Sequence, residues 1–191
     1  MHQYQRIFWL DDNPGLIGML AEIAVQDHNV PSVDALLSRV TFAYDAEEGE
    51  SIVSRQSFDL YVLDADFPVH MPRDRRDYVH QFMQDARTGN RNWLDFEMNY
   101  GDEGSVKGDE FKQFHERCLR DVSGKIIVYS SSRIAIHTAC QLGLPFYAKG
   151  ISSDNVRAWL ANFARTSGSG LTADGWEHGG MDELIERYIL P

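Results

Sequence analysis

Five side chains that suit metal and phosphoryl chemistry each follow a short apolar run. They are Asp11, Asp12, Asp64, Ser130 and Lys149, and the runs before them are Ile7–Leu10, Leu60–Leu63, Ile126–Tyr129 and Leu144–Ala148. A near-continuous apolar run is typical of a strand buried on both faces of a parallel sheet. In an open α/β sheet the ligand site lies beyond the carboxyl ends of the strands. If these runs are neighbouring strands, the sequence predicts a site for a divalent cation and a phosphoryl group.

The elements that position these residues alternate between strand and helix patterns, which favours a parallel sheet with helices on both faces. We predict an α/β fold with a doubly wound five-stranded parallel sheet in the flavodoxin-like order 2-1-3-4-5. That order places strands one and three side by side, as the grouping of the acids requires. The predicted strands are Arg6–Leu10, Arg39–Tyr44, Leu60–Asp64, Lys125–Tyr129 and Pro145–Ala148.

Residues 69–107 interrupt the alternation between strand three and helix three. The segment shows no clear strand–helix unit and combines several arginines with Tyr78, Phe82, Trp93, Phe96 and Tyr100. A loop of this length is usually functional or disordered, and the aromatic content argues against disorder. We expect this insertion to cover the mouth of the site and to offer exposed aromatic side chains to a partner. A packed decoration without a regulatory role is the alternative.

The length of 191 residues suits one domain. We assign residues 1–166 to that domain, with the insertion at 69–107. Residues 167–191 are predicted to form a Gly- and Ser-rich linker and a short amphipathic helix, Met181–Leu190.

The composition argues against several classes of partner. The formal net charge is -11, whereas nucleic acid is bound by basic surfaces. No apolar stretch is long enough to span a bilayer, and no signal-peptide pattern precedes Ile7. Cys118 and Cys140 lack metal-ligand spacing. The expectation is a soluble cytoplasmic protein that binds neither nucleic acid nor membranes.

Together the strand ends resemble the receiver domains of two-component response regulators. That family has an acidic pair after strand one, a phosphoacceptor aspartate after strand three with proline four positions on, serine or threonine after strand four, and lysine after strand five. The matching positions are Asp11, Asp12, Asp64, Pro68, Ser130 and Lys149. The resemblance covers about residues 5–165 apart from the insertion. Gly150 departs from it, because proline usually follows the lysine in the family.

The resemblance implies a cation site and a nucleophile. Asp12 and Asp64 would bind Mg²⁺ directly, Asp11 would act largely through water, and the backbone carbonyl of Asp66 would complete the protein ligands. Asp64 would then be the phosphoacceptor.

The resemblance also implies phosphoryl-binding and switch residues. Lys149 would pair with one phosphoryl oxygen and Ser130 would donate a hydrogen bond to another. Movement of Ser130 toward the phosphoryl group would let Phe146, three positions before the lysine, turn inward.

These roles predict a stand-alone, Mg²⁺-dependent receiver that takes a phosphoryl group from a sensor histidine kinase or a phosphotransfer protein. Its output would be contact with another protein or with a second copy, and its only chemistry would be its own phosphorylation and dephosphorylation. One alternative is a haloacid dehalogenase-like phosphatase with Asp64 as nucleophile and Asp66 as general acid/base. The acid pair precedes strand two rather than following Lys149, which argues against it. A degenerate receiver that acts as a docking module is the other alternative.

Overall fold

Six parallel strands form one sheet in the computed structural model, which describes residues 4–28, 32–93, 96, 109–149, 156, 158–162, 165 and 176–190. The order is β2-β1-β3-β4-β5-β6. The strands are β1 (Ile7–Leu10), β2 (Val40–Ala43), β3 (Leu60–Leu63), β4 (Lys125–Ser130), β5 (Phe146–Ala148) and β6 (His178–Gly179). The predicted order of the first five strands is therefore confirmed.

The sixth strand corrects the predicted five-strand count. β6 pairs in parallel with β5, with His178 opposite Phe146 and Gly179 opposite Tyr147. It lies in the stretch that we predicted to be a linker, of which residues 167–175 are outside the described residues. A His–Gly pair has neither the β-branched residues nor the alternation that marks a strand. β6 depends on its pairing with β5, which is a tertiary contact, so the sequence pattern does not predict it.

Helices cover both faces of the sheet. They are α1 (Pro14–His28), α2 (Val33–Leu37), α3 (Ala46–Val53), α4 (Arg73–Arg87), α5 (Asp109–Phe114) and α6 (Arg133–Gln141). α5 continues as a π-helical segment, His115–Leu119. The C-terminal helix, Met181–Leu184, likewise continues as a π-helical segment, Ile185–Ile189. Residues 156, 158–162 and 165 are also helical.

Each face of the sheet has its own hydrophobic core. The first core packs the sheet against α1, α2, α4 and the C-terminal helix, and includes Trp9, Phe82, Trp93, Tyr129 and Tyr147. The second packs it against α3, α5, α6 and the helical residues 156 and 158–162, and includes Phe8, Phe67, Phe114, Phe146 and Leu160. Within the described part of the chain, no helix is both long and apolar enough to cross a membrane.

The insertion contains a 15-residue helix, whereas the sequence pattern predicts at most one helical turn there, at Tyr78, Phe82 and Met83. α4 buries Val79, Phe82, Met83 and Ala86, which are spaced at i, i+3, i+4 and i+7. Charged residues fill most of its other positions and hide this apolar stripe in the sequence.

The expectation of exposed aromatic side chains in the insertion is wrong for two of them. Phe82 is fully buried and Trp93 is 3% exposed, while Tyr78 and Phe96 are half-buried. Tyr100 lies outside the described residues. The described aromatic residues contact one another and pack against α1, so they contribute to the first core.

Candidate functional site

Three carboxylates meet at the carboxyl ends of β1 and β3. β1 and β3 pair in register with Leu10 opposite Leu63, so Asp11 and Asp64 leave the sheet side by side. The Asp64 amide donates to the Leu10 carbonyl at 2.8 Å and fixes this arrangement. Carboxylate oxygens of Asp11, Asp12 and Asp64 lie within 4.8 Å of one another. The three acids therefore converge in one cluster that could hold a metal ion, and their role as cation ligands stays a prediction.

Lys149 follows β5 and reaches the cluster across the end of β4, which lies between β5 and β3. Its Nζ donates to Asp64 Oδ2 at 2.5 Å and lies 2.7 Å from Asp11 Oδ2. The lysine side chain is 6% exposed, and Asp11 is fully buried. A hydrogen bond of 3.1 Å from the Lys149 amide to the Ser130 carbonyl holds the backbone of β5 against β4.

Burial and charge together set the protonation of this cluster. Burial raises the pKa of Asp11 to about 7; the nearby Lys149 ammonium opposes this rise, and the negative charges of Asp64 and Asp12 add to it. Burial lowers the pKa of Lys149, but its ion pairs with Asp11 and Asp64 outweigh that effect and hold the pKa above its ordinary value. Lys149 is therefore a permanent cation at neutral pH. Lys149 pairs with Asp11 and Asp64, and the carboxylate of Asp12 lies within 4.8 Å of theirs; this concentration of negative charge favours the binding of a further cation.

Backbone amides orient two of the carboxylates. Asp64 Oδ1 accepts hydrogen bonds from the amides of Ala65 at 2.6 Å and Asp66 at 3.3 Å. Asp11 Oδ1 accepts one from the Asn13 amide at 3.0 Å. Each bond uses a loop amide directly after the strand, so the turn that ends the strand also aims its carboxylate. The Asp66 side chain is exposed, and its carbonyl as a cation ligand stays a prediction.

The two residues proposed for the switch are both fully buried. Ser130 is fully buried, and its Oγ accepts a hydrogen bond from the Ser132 amide at 3.1 Å. Phe146 is fully buried in the second core, where its ring stacks on Trp176 with centroids 6.4 Å apart. Their switch roles stay predictions. Gly150 lies outside the described residues.

Sequence reasoning missed two groups beside the site. The ring of Tyr129 lies under the Lys149 ammonium, 5.5 Å from Nζ to the ring centroid. Strand alternation could have found it, because Tyr129 directly precedes Ser130 and so faces the opposite side of the sheet. The second group is the backbone of Trp93 with the Phe96 side chain, which lie against Gly15 at the start of α1. No sequence signal links these distant segments.

The donor set fits a hard divalent cation such as Mg²⁺. Carboxylate oxygens are the ligands that Mg²⁺ and Ca²⁺ prefer, whereas Zn²⁺ sites usually include nitrogen or sulfur. Asp11, Asp12 and Asp64 supply such oxygens close together, and among the residues that the structure describes no histidine or cysteine joins them. These three residues would hold the ion.

Comparison with known proteins finds similarity among solved structures. No family model matches the sequence, and a search of curated proteins finds no match. Among solved structures, the chain is similar to a response regulator protein from Burkholderia pseudomallei with a phosphorylated aspartic acid, a calcium ion and citrate. The TM-score is 0.38 at 15% sequence identity, covering 87% of this chain and 72% of that chain.

Proposed function

We propose that this chain is a response regulator receiver that accepts a phosphoryl group on Asp64 and signals by protein–protein contact. The donor is a sensor histidine kinase or a phosphotransfer protein. One observation carries the proposal: the Asp64 carboxylate accepts a 2.5 Å hydrogen bond from the buried Lys149 ammonium and lies within 4.8 Å of the carboxylates of Asp11 and Asp12. A nucleophile, a cation site and a fixed positive charge are the parts that phosphoryl transfer needs.

The transfer step uses each of these residues. A carboxylate oxygen of Asp64 attacks the phosphorus of a phosphohistidine, the P–N bond breaks, and the leaving imidazole keeps the electron pair and takes up a proton. The product is an acyl phosphate on Asp64. Lys149 Nζ, already bound to Asp64 Oδ2, pairs with a phosphoryl oxygen as the negative charge moves outward. When bound by the three carboxylates, a divalent cation neutralises charge on the transferring group.

Ser130 connects the site to the second core. Its hydroxyl sits at the end of β4 and donates to a phosphoryl oxygen once the acyl phosphate has formed. Ser130 is fully buried, so a shift of its hydroxyl toward the phosphoryl group disturbs the packing around β4 and β5, including that of Phe146. The changed surface is the signal. We propose no turnover of a separate substrate.

A small acyl phosphate tests the proposal without a cognate kinase. Intact-mass measurement after incubation with Mg²⁺ should show one added phosphoryl group, and peptide mapping should place it on Asp64. Asp64→Asn should abolish the gain, because an amide is not a nucleophile. Uptake by Asp64→Asn at the wild-type level would contradict the assignment. Sustained hydrolysis of a phosphomonoester would instead favour the phosphatase alternative that uses Asp64 and Asp66.

A further inference from the structure

Tyr129 belongs to the same row of residues across the sheet as the acids. Leu63 of β3 pairs with Val128 of β4, so the next residues, Asp64 and Tyr129, are neighbours. Asp11 precedes them in the row, because Leu10 pairs with Leu63. By strand alternation all three side chains point to the face of the sheet that α1 covers. Tyr129 is 1% exposed, so its ring is buried on this face of the sheet.

The Lys149 side chain must cross this ring to reach its partners. β4 lies between β5, which carries Lys149, and β3, which carries Asp64. Neighbouring strands are about 4.8 Å apart, so the lysine spans the end of β4 before it meets a carboxylate. Its Nζ lies over the Tyr129 ring, 5.5 Å from the centroid.

The ring itself is held in place. Trp9, 2% exposed, packs against Tyr129 in an edge-on arrangement, with centroids 5.7 Å apart and an interplanar angle of 85°. Edge-to-face contacts are favourable for aromatic pairs and restrict rotation of both rings. Trp9 lies two residues before Asp11, so the support of the ring and the acid come from the same strand.

A cation above an aromatic face is attracted by the ring quadrupole, and the attraction is strongest where water is excluded. Lys149 meets that condition because its side chain is 6% exposed. An aliphatic residue in place of Tyr129 could fill similar space but would give the ammonium no attractive surface. The ring face, rather than the hydroxyl, is therefore the part of Tyr129 that matters.

We propose that Tyr129 is a positioning residue for Lys149: its ring face holds the ammonium over the end of β4, so that Nζ stays within reach of Asp64 and of a phosphoryl group on it. The kinetic consequence rests on the proposed function of Asp64. The contact between ring and ammonium does not, and it can be measured separately.

The first measurement is the chemical shift of the Lys149 ε-methylene protons. A ring current should displace these resonances in the wild type and in Tyr129→Phe, which keeps the ring, but not in Tyr129→Leu. Tyr61→Leu is the matched control, because Tyr61 is equally buried and belongs to the second core. Absence of the displacement in the wild type would overturn the proposal, whether or not the protein is phosphorylated.

The second measurement is the rate of phosphorylation by a small acyl phosphate across donor concentrations. Tyr129→Leu should lower the maximal rate about tenfold, while Tyr129→Phe stays close to the wild type. In a Lys149→Ala background, Tyr129→Leu should cause no further loss, because Tyr129 acts through the lysine.

Three kinetic outcomes have distinct meanings. Losses that multiply in the double variant would overturn the proposal, because Tyr129 would then act independently of Lys149. A Tyr129→Phe variant as slow as Tyr129→Leu would also overturn it, since the ring face would not be sufficient. A wild type with the displaced resonances but no phosphoryl uptake would contradict the function proposed for Asp64 and leave the positioning of Lys149 supported.

Discussion

At the scale of single residues, burial has a larger effect on the pKa of Asp11 than the neighbouring acids have. Asp11 has no exposed surface, and its pKa rises to about 7 even though Lys149 lies 2.7 Å away. A buried carboxylate with such a raised pKa is only partly ionised at neutral pH, and additional positive charge nearby favours its ionised form. A bound divalent cation supplies that charge, so cation binding and ionisation of Asp11 favour each other.

Asp12 is the residue whose loss should affect the cation most cleanly. Asp12→Asn removes one negative charge and replaces a carboxylate oxygen by an amide nitrogen, but leaves the Lys149 ion pairs with Asp11 and Asp64. We expect Mg²⁺ affinity to fall about tenfold or more, measured by titration calorimetry. Asp121→Asn is the control, because this exposed residue precedes β4 at the opposite edge of the sheet. Equal affinity in Asp12→Asn and wild type would remove Asp12 from the ligand set.

At the scale of elements, two glycines of α1 make room for the insertion. A Cβ on Gly18 would overlap the Trp93 indole ring, and one on Gly15 would lie 2.9 Å from the Trp93 carbonyl and from Phe96 Cβ. The insertion therefore packs directly on the helix backbone. Gly15 is four residues after Asp11, so this contact lies next to the acidic loop of the site.

Gly18→Ala tests this packing. The added methyl group should displace the Trp93 ring and lower the free energy of unfolding by about 1–3 kcal/mol, although alanine is the better helix former. Denaturant unfolding measures the loss. The same change in a Trp93→Ala background should be neutral or stabilising, because the ring that it displaces is gone. A destabilisation of equal size in both backgrounds would mean that the Trp93 ring does not pack against Gly18.

His80 connects α4 to α3 in a pH-dependent way. A hydrogen bond with Glu48, whose Oε1 is 3.2 Å from His80 Nε2, raises the pKa of His80 above 6.5. A raised pKa in the folded state stabilises the protein below the unfolded value, and that stability is lost as the pH rises through the folded value.

His80→Gln should therefore lower stability at about pH 6 and have little effect at about pH 9. The difference should be at most about 1 kcal/mol, because His80 is nearly half exposed. Denaturant unfolding at the two pH values checks this. In a Glu48→Gln background the pH dependence should disappear; its persistence there would point to another partner of the histidine.

Elements with a strong local signal were predictable, and elements made by tertiary contacts were not. The apolar runs before Asp11, Asp64, Ser130 and Lys149 identified four strands, and parallel pairing brought their ends together. α4 was missed because its apolar stripe is sparse, and its burial depends on α1. Tyr129 was identified only as part of a strand, because the approach of the Lys149 ammonium to its ring is a side-chain contact that the strand order alone does not give.

At the scale of the whole molecule, the C-terminal segment completes the sheet and the first core. Glu177, directly before β6, accepts hydrogen bonds from Lys125 Nζ at 2.7 Å and from the Tyr147 hydroxyl at 2.9 Å, and a further one from Tyr188. Burial raises the pKa of Glu177, but these hydrogen bonds outweigh it and hold the pKa below its ordinary value. One carboxylate thus joins β4, β5 and the C-terminal helix.

Glu177→Gln should lower the free energy of unfolding by about 1–3 kcal/mol at neutral pH, because it replaces charge-assisted hydrogen bonds. The loss should shrink as the pH falls through the lowered pKa of Glu177, where the wild-type carboxylate also loses its charge. Glu186→Gln, an exposed change in the same C-terminal region, is the control. Equal stability of the two variants across this pH range would show that Glu177 does not anchor the segment.

The most direct test of the account is the mass of the intact protein after incubation with Mg²⁺ and a small acyl phosphate. The site geometry predicts a gain of one phosphoryl group on Asp64. The gain should not occur when the cation is chelated, and it should be absent in Asp64→Asn. A wild-type protein that gains no phosphoryl group, or gains it on another residue, would contradict the central claim.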